Sequence, residues 1–281
     1  MRAVVLDERG QPRLADVADP AGEGTLVRVR ACGLCGSDVE KIGRAPPGTV
    51  LGHEVTAETA DGRRVALIHH LPCGECARCH RGYESTCEEF RRATITPGGF
   101  AERAQAAGWI DLPDDVDDAT GTYAEPLACV LRGAERLPSG RILVVGQGFV
   151  GRLFAEVLRR RGDDTYTIDA DPSRGGRAPS GRVDAAVLCA PGGADEAAAA
   201  VEPGGTLLVF AGAGPLELEP VYRRELHVVG SRSGTPRHLR EAIDLLPQLD
   251  VPEATVLPLE RFSEGFELYR ERKALKIVFT P

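Results

Sequence analysis

Four cysteines crowd into one short segment of the chain with the spacing C-x2-C-x2-C-x7-C. Because four thiolates at this spacing can surround one ion tetrahedrally, the pattern predicts a structural zinc site. The glycines and the proline around them favour a tight loop over a helix or a strand. The alternative, buried or disulfide-bonded cysteines, is disfavoured by this crowding in a reducing compartment. The predicted ligands are Cys73, Cys76, Cys79 and Cys87.

A second set of metal-binding residue types is spread over the first half of the chain. Cys35 and His53 precede the cysteine loop, and Glu125 follows it. One thiolate, one imidazole and one carboxylate can hold zinc and leave a fourth position open. Taken singly, a cysteine is usually buried and a histidine usually satisfies a hydrogen bond in the core. The metal hypothesis therefore depends on these residues occurring together around the loop.

A glycine-rich motif, G-x-G-x-x-G, follows the apolar run Arg141–Val145 and opens an amphipathic helical pattern. In this context the glycines permit a tight turn, close approach to a pyrophosphate and close packing of helix on strand. The amide groups at the start of the helix are free to bind an anion. The alternative is a plain turn. The predicted dinucleotide contacts are Gly146, Gly148, Phe149, Val150 and Gly151.

An acidic residue, Asp169, follows the next predicted strand at about the 20-residue distance expected of this motif. A carboxylate there can accept hydrogen bonds from ribose hydroxyls and would repel a 2′-phosphate. We therefore expect NAD rather than NADP. Two alternatives stay open: Asp169 is a solvated strand end, or Arg174 stacks on the adenine or reaches a phosphate.

The elements that must position these residues change character along the chain. The first part is rich in short strands, predicted at Arg2–Leu6, 25–31 and 64–68. A helix is predicted after Glu125, with Pro126 at its first position. The second part alternates strands with helices, which predicts a doubly wound parallel sheet. Its predicted strands are Arg141–Val145, 165–168, 185–188, 206–210 and 226–229, and 275–279 is again strand-like.

The length and the net charge of the chain limit the classes of protein to which it can belong. A chain of 281 residues is long enough for two domains. The net charge of −8 argues against a nucleic-acid partner. No run approaches the roughly 20 apolar residues that span a bilayer, and no signal peptide is recognisable. We therefore expect a cytoplasmic protein without a membrane partner, in which eight cysteines stay reduced.

At this point the sequence resembles the zinc-dependent medium-chain alcohol and polyol dehydrogenases. The matching motifs occur in the order found in that family and run from Gly33 to Gly151. They are residues 33–38 (GLCGSD), 51–54 (LGHE), the four-cysteine loop, 98–102 (GGFAE), 125–128 (EPLA) and 146–151 (GQGFVG).

The resemblance implies an α/β protein with two domains. A GroES-like β-barrel catalytic domain would span 1–125 and be completed by 250–281, and a Rossmann NAD-binding domain would span 126–249. It also implies two zinc ions per chain, a small alcohol or polyol substrate, and a homodimer or homotetramer.

Matched position by position, Cys35 and His53 resemble the catalytic zinc ligands of the family. Glu54 matches the acid beside the histidine, which is either an exchanging ligand or lies just outside the ligand set. Glu125 stands where simple alcohol dehydrogenases have a second cysteine, and it resembles the sorbitol, threonine and sugar dehydrogenase branches. Whether Glu125 binds zinc directly or through water stays open. Ser37 matches the hydroxyl that relays the substrate proton.

Other residue types near the motifs receive weaker interpretations. Glu40 stands where many members have a relay histidine; it either relays the proton, bonds a substrate hydroxyl or is solvated. His69 and His70 are interpreted as structural, because the resemblance gives them no role. Three further cysteines are expected in the core: Cys32, Cys129 and Cys189.

The chain also departs from the family pattern by being several tens of residues short. Asp171 is followed by a glycine-rich stretch up to Val183 where relatives have a helix, a strand and another helix. We therefore expect the Rossmann sheet to lack an edge strand and NAD to bind weakly. The leading hypothesis is a zinc- and NAD-dependent dehydrogenase of a secondary alcohol. The alternative is a catalytically impaired, zinc-stabilised relative that serves as a binding or scaffold protein.

Overall fold

The computed structural model describes residues 1–212 and 214–281, apart from the side chain of Arg91. Contacts divide the chain into two compact units. The first unit contains Met1–Ala128, Thr235–Gln248 and Pro252–Pro281, and the second contains Cys129–Gly234 and Leu249–Val251. The segment Thr235–Gln248 lies inside the predicted range 126–249 but groups with the first unit. The predicted domain boundaries otherwise stay predictions.

Fifteen strands and nine α-helices lie in the described part of the chain. The strands are β1 (Arg2–Leu6), β2 (Pro12–Asp16), β3 (Thr25–Gly33), β4 (Glu54–Glu58), β5 (Arg64–Leu67), β6 (Ile95–Thr96), β7 (Arg103–Ala106), β8 (Trp109–Asp111), β9 (Arg141–Val145), β10 (Asp164–Ile168), β11 (Val183–Leu188), β12 (Val201–Val209), β13 (His227–Gly230), β14 (Thr255–Pro258) and β15 (Ile277–Thr280). The helices are α1 (Gly36–Lys41), α2 (Ala77–His80), α3 (Asp118–Gly121), α4 (Ala124–Ala134), α5 (Phe149–Arg160), α6 (Ala194–Ala200), α7 (Leu218–Arg223), α8 (Pro236–Leu245) and α9 (Phe262–Arg270).

The first unit is built on an eight-stranded sheet. Its strands pair in the order β14-β15-β3-β4-β5-β8, and β7 pairs with both β3 and β6. Strand β15, from the C-terminal part of the chain, pairs antiparallel with β3 and so belongs to this sheet. Buried apolar side chains from these strands form one core, in which Phe100 packs edge-on against Phe279 with ring centroids 5.1 Å apart.

The second unit is a parallel sheet of five strands in the order β10-β9-β11-β12-β13. This confirms the predicted doubly wound fold and its missing edge strand, because the six-stranded order of such folds would place another strand beyond β10. Within the described residues, the stretch after β10 contains only a 3₁₀ turn, Pro172–Arg174, and a single bridge between Thr167 and Arg177.

Helix α4 begins at Ala124, two residues earlier than the sequence predicted. Pro126 is nevertheless acceptable there, because the amide groups of the first turn have no partner within the helix. Glu125 therefore belongs to the first turn of a regular helix, which fixes its backbone.

Of the three cysteines expected in the core, Cys32 is buried, whereas Cys129 and Cys189 are half-buried. Among the described residues, no helix combines the length and the apolar character needed to cross a bilayer.

Candidate functional site

The four cysteines of the loop converge on one point. The Sγ atoms of Cys73 and Cys87 are 3.5 Å apart, those of Cys76 and Cys79 are 3.6 Å apart, and both the Cys73–Cys79 and the Cys76–Cys87 separations are 3.9 Å. A tetrahedral zinc site with bonds of about 2.3 Å has sulfur–sulfur edges of about 3.8 Å. Bonded sulfurs would instead lie about 2.05 Å apart. The loop therefore fits a metal ion, and all four thiols are free.

Backbone amides help the loop to carry thiolate charge. The Cys76 amide donates to Cys73 Sγ at 3.3 Å, and the Cys73 amide donates to Cys87 Sγ at 3.4 Å. Hydrogen bonds from backbone and neighbouring thiols lower the pKa of Cys76 and of Cys87, whereas burial raises the pKa of Cys79. Since zinc binds thiolates, this arrangement assists metal uptake.

The short helix α1 positions the first half of the second metal group. Cys35 precedes the helix, and its amide donates to Asp38 Oδ2 at 3.2 Å. Asp38 is fully buried, and its Oδ1 accepts the Gly52 amide at 3.0 Å. The same oxygen lies 3.4 Å from His53 Nδ1. Asp38 thus fixes the backbone of Cys35 and faces the ring of His53 with negative charge.

This carboxylate changes the protonation of the ring. Burial disfavours the imidazolium form of His53, but the charge of Asp38 outweighs it and raises the pKa of His53 well above its usual range. Burial likewise opposes ionisation of Asp38, and the charge of His53 prevails and lowers the pKa of Asp38. A metal ion that binds His53 must therefore displace a proton.

Glu54 lies beside His53, but its carboxylate already forms an ion pair with another residue. Its Oε2 is in close contact with Lys276 Nζ, and the two side chains are 2% and 3% exposed. Gly33 makes room for this pair, because a Cβ atom there would lie only 2.1 Å from Glu54 Oε2. The pair therefore balances one buried charge with another and ties the first part of the chain to its C-terminal strand.

The metal-binding atoms form two overlapping groups. Atoms of Cys35, His53 and Glu54 lie within 4.8 Å of one another, and so do atoms of His53, His69 and Glu125. His53 belongs to both groups. Within each group, donors this close can reach one ion with bonds of about 2.0–2.3 Å. The residues present therefore fit a metal centre with nitrogen, sulfur and oxygen ligands.

His69, interpreted from the sequence as structural, lies in the second of these groups with His53 and Glu125. It follows β5, and its carbonyl accepts Thr94 Oγ1 at 2.5 Å. Its ring lies 4.3 Å from that of His53 between centroids, and its Nδ1 lies 3.8 Å from Glu125 Oε1. Burial lowers the pKa of His69, which keeps the ring neutral. In the sequence, this position was indicated only by a histidine that follows a predicted strand and precedes the cysteine loop.

His70 stacks behind His69 and has a different environment. The two rings are 3.8 Å apart between centroids, and His70 stacks at the same distance on Phe90. His70 Nδ1 lies 3.1 Å from the Phe90 carbonyl. Burial lowers the pKa of His70 to about 3, so this ring is also neutral at pH 7. The stack restrains the ring plane of His69.

Ser37 and Glu40 lie on α1 and are exposed. Ser37 Oγ donates to Cys35 Sγ at 3.5 Å, so this hydroxyl lies directly beside one predicted ligand. The hydroxyl of Tyr269 approaches the same helix and would be 2.8 Å from a Cβ atom at Gly36. Two hydroxyl groups therefore lie at the start of α1, and the sequence predicted one of them, Ser37.

The glycine motif of the second unit forms the turn between β9 and α5. Gly146 has φ +97°, and a Cβ atom at Gly151 would lie 1.8 Å from the Gly146 carbonyl. Phe149 and Val150 open α5. Their amide groups lie in the first turn, where a helix favours an anion. Gly146 and Gly151 are thus required by the geometry of this turn, which fits a pyrophosphate.

Asp169 holds the same turn from the end of β10. Its Oδ2 accepts the Gln147 amide at 2.6 Å, and its Oδ1 accepts the Asp171 amide at 2.8 Å. Arg174 Nη1 is 3.6 Å from Asp169 Oδ2 and also 3.6 Å from the position of a Cβ atom at Gly148. Asp169 and Arg174 therefore both lie at the glycine turn.

Comparisons with known proteins agree with this architecture. Residues 22–114 match the family model of the alcohol dehydrogenase GroES-like domain. The chain is 33% identical to a D-altritol 5-dehydrogenase of Agrobacterium fabrum over 301 aligned positions, which cover 88% of each protein. It is 25% identical to a sorbitol dehydrogenase of Halalkalibacterium halodurans, covering 100% of this chain and 99% of the relative.

The fold is also similar to solved structures. An alcohol dehydrogenase from Thermus sp. ATN1 superposes with a TM-score of 0.84 at 24% identity, and 100% of each chain is covered. An acetophenone reductase from Geotrichum candidum, solved in complex with NAD, superposes with a TM-score of 0.86 at 20% identity, covering 100% of this chain and 97% of the other. Together with the identity to the altritol enzyme, this shows that the chain belongs to the family of zinc-type medium-chain alcohol and polyol dehydrogenases.

Proposed function

We propose that the chain is a zinc- and NAD-dependent dehydrogenase that transfers a hydride between NAD and a secondary alcohol of a polyol, sugar or amino alcohol. The observation that carries this proposal is the pair of metal-binding groups that share His53, one with Cys35 and Glu54 and the other with His69 and Glu125. The names of the similar altritol and sorbitol dehydrogenases support a polyhydroxylated substrate.

The residues that would hold the catalytic zinc are Cys35, His53 and Glu125. Glu54 is close enough to be a ligand, but its Oε2 is engaged by Lys276. We therefore assign Glu54 to a position beside the ligands, from which it can reach the metal only if the ion pair opens. The second zinc would be held by the four-cysteine loop, which has no open position for a substrate.

Zinc at the His53 centre would act as a Lewis acid toward a substrate hydroxyl and lower its pKa. Ser37 is exposed beside Cys35, so its Oγ can accept the substrate proton while it passes its own hydrogen to water. Asp38 keeps the His53 ring oriented, because a carboxylate behind a metal-binding histidine fixes its tautomer. Glu40 is exposed on the same helix and offers a second acceptor for the proton.

NAD bound at the glycine turn would accept the hydride. Gly146, Gly148 and Gly151 would contact its pyrophosphate together with the amides at Phe149 and Val150. Asp169 keeps lone pairs for the ribose hydroxyls even though each oxygen already accepts one amide. We expect NAD to be preferred over NADP, because Asp169 would repel a 2′-phosphate. Steady-state kinetics with both cofactors test this, and a preference for NADP would contradict it.

The proposal is tested by a screen of NAD reduction over polyols, sugars and amino alcohols, with zinc counted on the same sample. We expect two zinc ions per chain, turnover of a polyhydroxylated secondary alcohol, and loss of turnover in Cys35→Ser. Turnover of simple primary alcohols alone, or turnover unchanged in Cys35→Ser, would contradict the proposal. One zinc per chain without NAD binding would instead favour the scaffold function.

We also propose that the protein is a homo-oligomer, a dimer or a tetramer, in a reducing compartment such as the cytoplasm. Strand β13 is an edge of the second sheet and exposes 43% of Val228. On α7, Leu218 and Tyr222 are 71% and 78% exposed. An edge strand beside apolar side chains suits pairing with a second copy. Light scattering that gives the mass of one chain at micromolar concentration would exclude this assembly.

A further inference from the structure

We propose that His53, His69 and Glu125 form a second position for the catalytic ion, one in which the thiolate of the centre takes no part. The inference rests on the proposed function, because it adds a position to the metal centre assigned there. The two positions share a histidine and a glutamate and differ in one ligand, which is Cys35 in one and His69 in the other. Each position uses three protein ligands and leaves the fourth open for a substrate.

The first argument is the grouping of the donor atoms. Ligand atoms of His53, His69 and Glu125 lie within 4.8 Å of one another, so they can reach one ion. Cys35 does not belong to this group, and its thiol lies instead with His53 and Glu54. Two histidines and a glutamate are a complete protein ligand set in some catalytic zinc sites. The three side chains therefore form a site that does not need the thiolate.

The second argument is the environment of the His69 ring. Its Nδ1 is buried and makes no hydrogen bond with any residue that the structure describes. A buried polar atom in this state destabilises a fold by about 1–3 kcal/mol. Glu125 Oε1 lies 3.8 Å from this nitrogen, which is too long for a hydrogen bond but short enough for both atoms to bind one ion. A bound ion would give the ring nitrogen a partner.

The third argument is that His69 is held in place before an ion arrives. Its ring packs against the rings of His53 and His70, with centroid distances of 4.3 Å and 3.8 Å. Its carbonyl accepts a hydrogen bond from Thr94 Oγ1 at 2.5 Å. A ligand whose orientation is fixed before binding loses little conformational entropy when the ion binds. The second position is therefore largely formed in the folded chain.

The fourth argument concerns charge and donor type. With His69 as the third ligand, two neutral imidazoles and one carboxylate leave a divalent ion with one net positive charge. With Cys35 in its place, the thiolate and the carboxylate cancel the charge of the ion. Thiolates select zinc, whereas imidazole and carboxylate bind a wider range of divalent ions. The second position thus keeps an ion in the centre when the thiolate is not bound to it.

The experiment counts bound zinc rather than turnover. The zinc-loaded chain is equilibrated with increasing amounts of a chromophoric chelator, and the zinc that remains per chain is measured. Cys35→Ala removes the thiolate and is compared with the double variants Cys35→Ala/His69→Gln and Cys35→Ala/Glu125→Gln. The matched control is Cys35→Ala/His70→Gln, which removes the neighbouring ring, whose Nδ1 lies 3.1 Å from the Phe90 carbonyl. His69→Gln alone completes a double-mutant cycle.

We expect the wild type and Cys35→Ala each to hold two zinc ions, because His69 takes the place of the missing thiolate. The affinity of Cys35→Ala for the second ion should fall by no more than about 100-fold, the upper end for loss of a residue outside a ligand set. Each double variant that also lacks His69 or Glu125 should lose at least about 100-fold more, because only two protein ligands remain. His69→Gln alone should weaken the second ion by less than about 10-fold, and the His70→Gln control should match Cys35→Ala.

Three results would overturn the inference. One is loss of the second zinc in Cys35→Ala. Another is equal affinity in Cys35→Ala and Cys35→Ala/His69→Gln. The third is an equal effect of His69→Gln with and without Cys35, which a purely structural role of the ring would produce. Zinc retained by the four-cysteine loop reports that a variant is folded, and if one double variant does not fold, the other decides.

The outcomes also separate this inference from the proposed function. If the wild type holds two zinc ions and oxidises a polyol but Cys35→Ala loses its second ion, the second position is refuted and the dehydrogenase proposal stands. If the zinc counts follow the expected pattern and no alcohol is oxidised, the second position stands and the dehydrogenase proposal fails. A wild type that holds one zinc only would overturn both.

Discussion

Lys276→Met removes the cation that lies against the buried Glu54 carboxylate, and we expect it to destabilise the protein by about 3–5 kcal/mol. Both side chains are almost inaccessible, at 3% and 2% exposure, so water does not solvate the carboxylate that remains. Lys276 Nζ also lies 3.4 Å from the Leu34 carbonyl, which loses a donor in the variant.

The loss should depend on pH, because Glu54 can avoid buried charge by binding a proton. Even beside Lys276, burial raises the pKa of Glu54 above its ordinary value, and removal of the cation raises it further. A carboxyl group whose pKa is raised by folding costs no stability below its unfolded pKa of about 4.3, because it is protonated in both states. As the pH rises from there toward the folded pKa, the group lowers the free energy of unfolding. The deficit of Lys276→Met should therefore grow by up to about 1.4 kcal/mol per pH unit and then level off.

The assay is urea unfolding of the zinc-loaded protein between pH 5 and pH 8. Trp109, the single tryptophan, lies on β8 of the same sheet as Glu54 and Lys276 and reports on that unit by fluorescence. The matched control is Lys273→Met, which removes an exposed lysine paired with exposed Glu271 and should lower the unfolding free energy by less than about 1 kcal/mol. The double variant Glu54→Gln/Lys276→Met should recover most of the loss.

Two outcomes would refute this reasoning. One is a Lys276→Met variant as stable as Lys273→Met at every pH. The other is a deficit that is largest at pH 5 and shrinks as the pH rises, since that sign belongs to an acid whose pKa is lowered by folding.

Three other perturbations have defined outcomes. Cys76→Ser should lower zinc content and thermal stability first and activity only as a result, measured by elemental analysis and melting; a folded variant with its full zinc content would contradict this. Gly33→Ala should destabilise by about 1–3 kcal/mol through overpacking against the buried ion pair, whereas Gly192→Ala, which points into open space, should change the unfolding free energy little. In the zinc-free protein, Asp38→Asn should lower the pKa of His53 in an NMR titration, because the opposing charge is lost; an unchanged pKa would show that Asp38 does not set it.

The parts of the site that the sequence could predict are those encoded in short stretches of chain. The four cysteines of the loop span fifteen residues, and their spacing alone predicts the tetrahedron that the sulfur separations fit. The positions of the glycine turn and Asp169 follow from elements that succeed one another directly in the chain: one strand, one turn and one helix. The strands of the parallel sheet were predicted for the same reason, since each is a short apolar run.

The parts that the sequence could not predict depend on contacts between distant segments. Lys276 lies 222 positions after Glu54, and no pattern in either segment indicates that they pair. His69 and Glu125 are distant in the chain, and their side chains come within 3.8 Å of each other only in the folded protein. The spacing of His69 from the cysteine loop indicated a structural residue equally well, so its place beside the metal ligands became visible only in three dimensions.

The shortened second sheet has a consequence for the solubility of the protein. Without a further strand, β10 would present a row of unpaired amides and carbonyls to other molecules. Thr167 shares a bridge with Arg177, whose guanidinium lies 4.4 Å from the centre of the Tyr166 ring and pairs with Asp164 at 2.8 Å. Arg177 therefore pairs with one point of the exposed edge and places a charge beside it, which discourages aggregation. The β10 edge of the five-stranded sheet thus has some protection although a sixth strand and its crossover connection are missing.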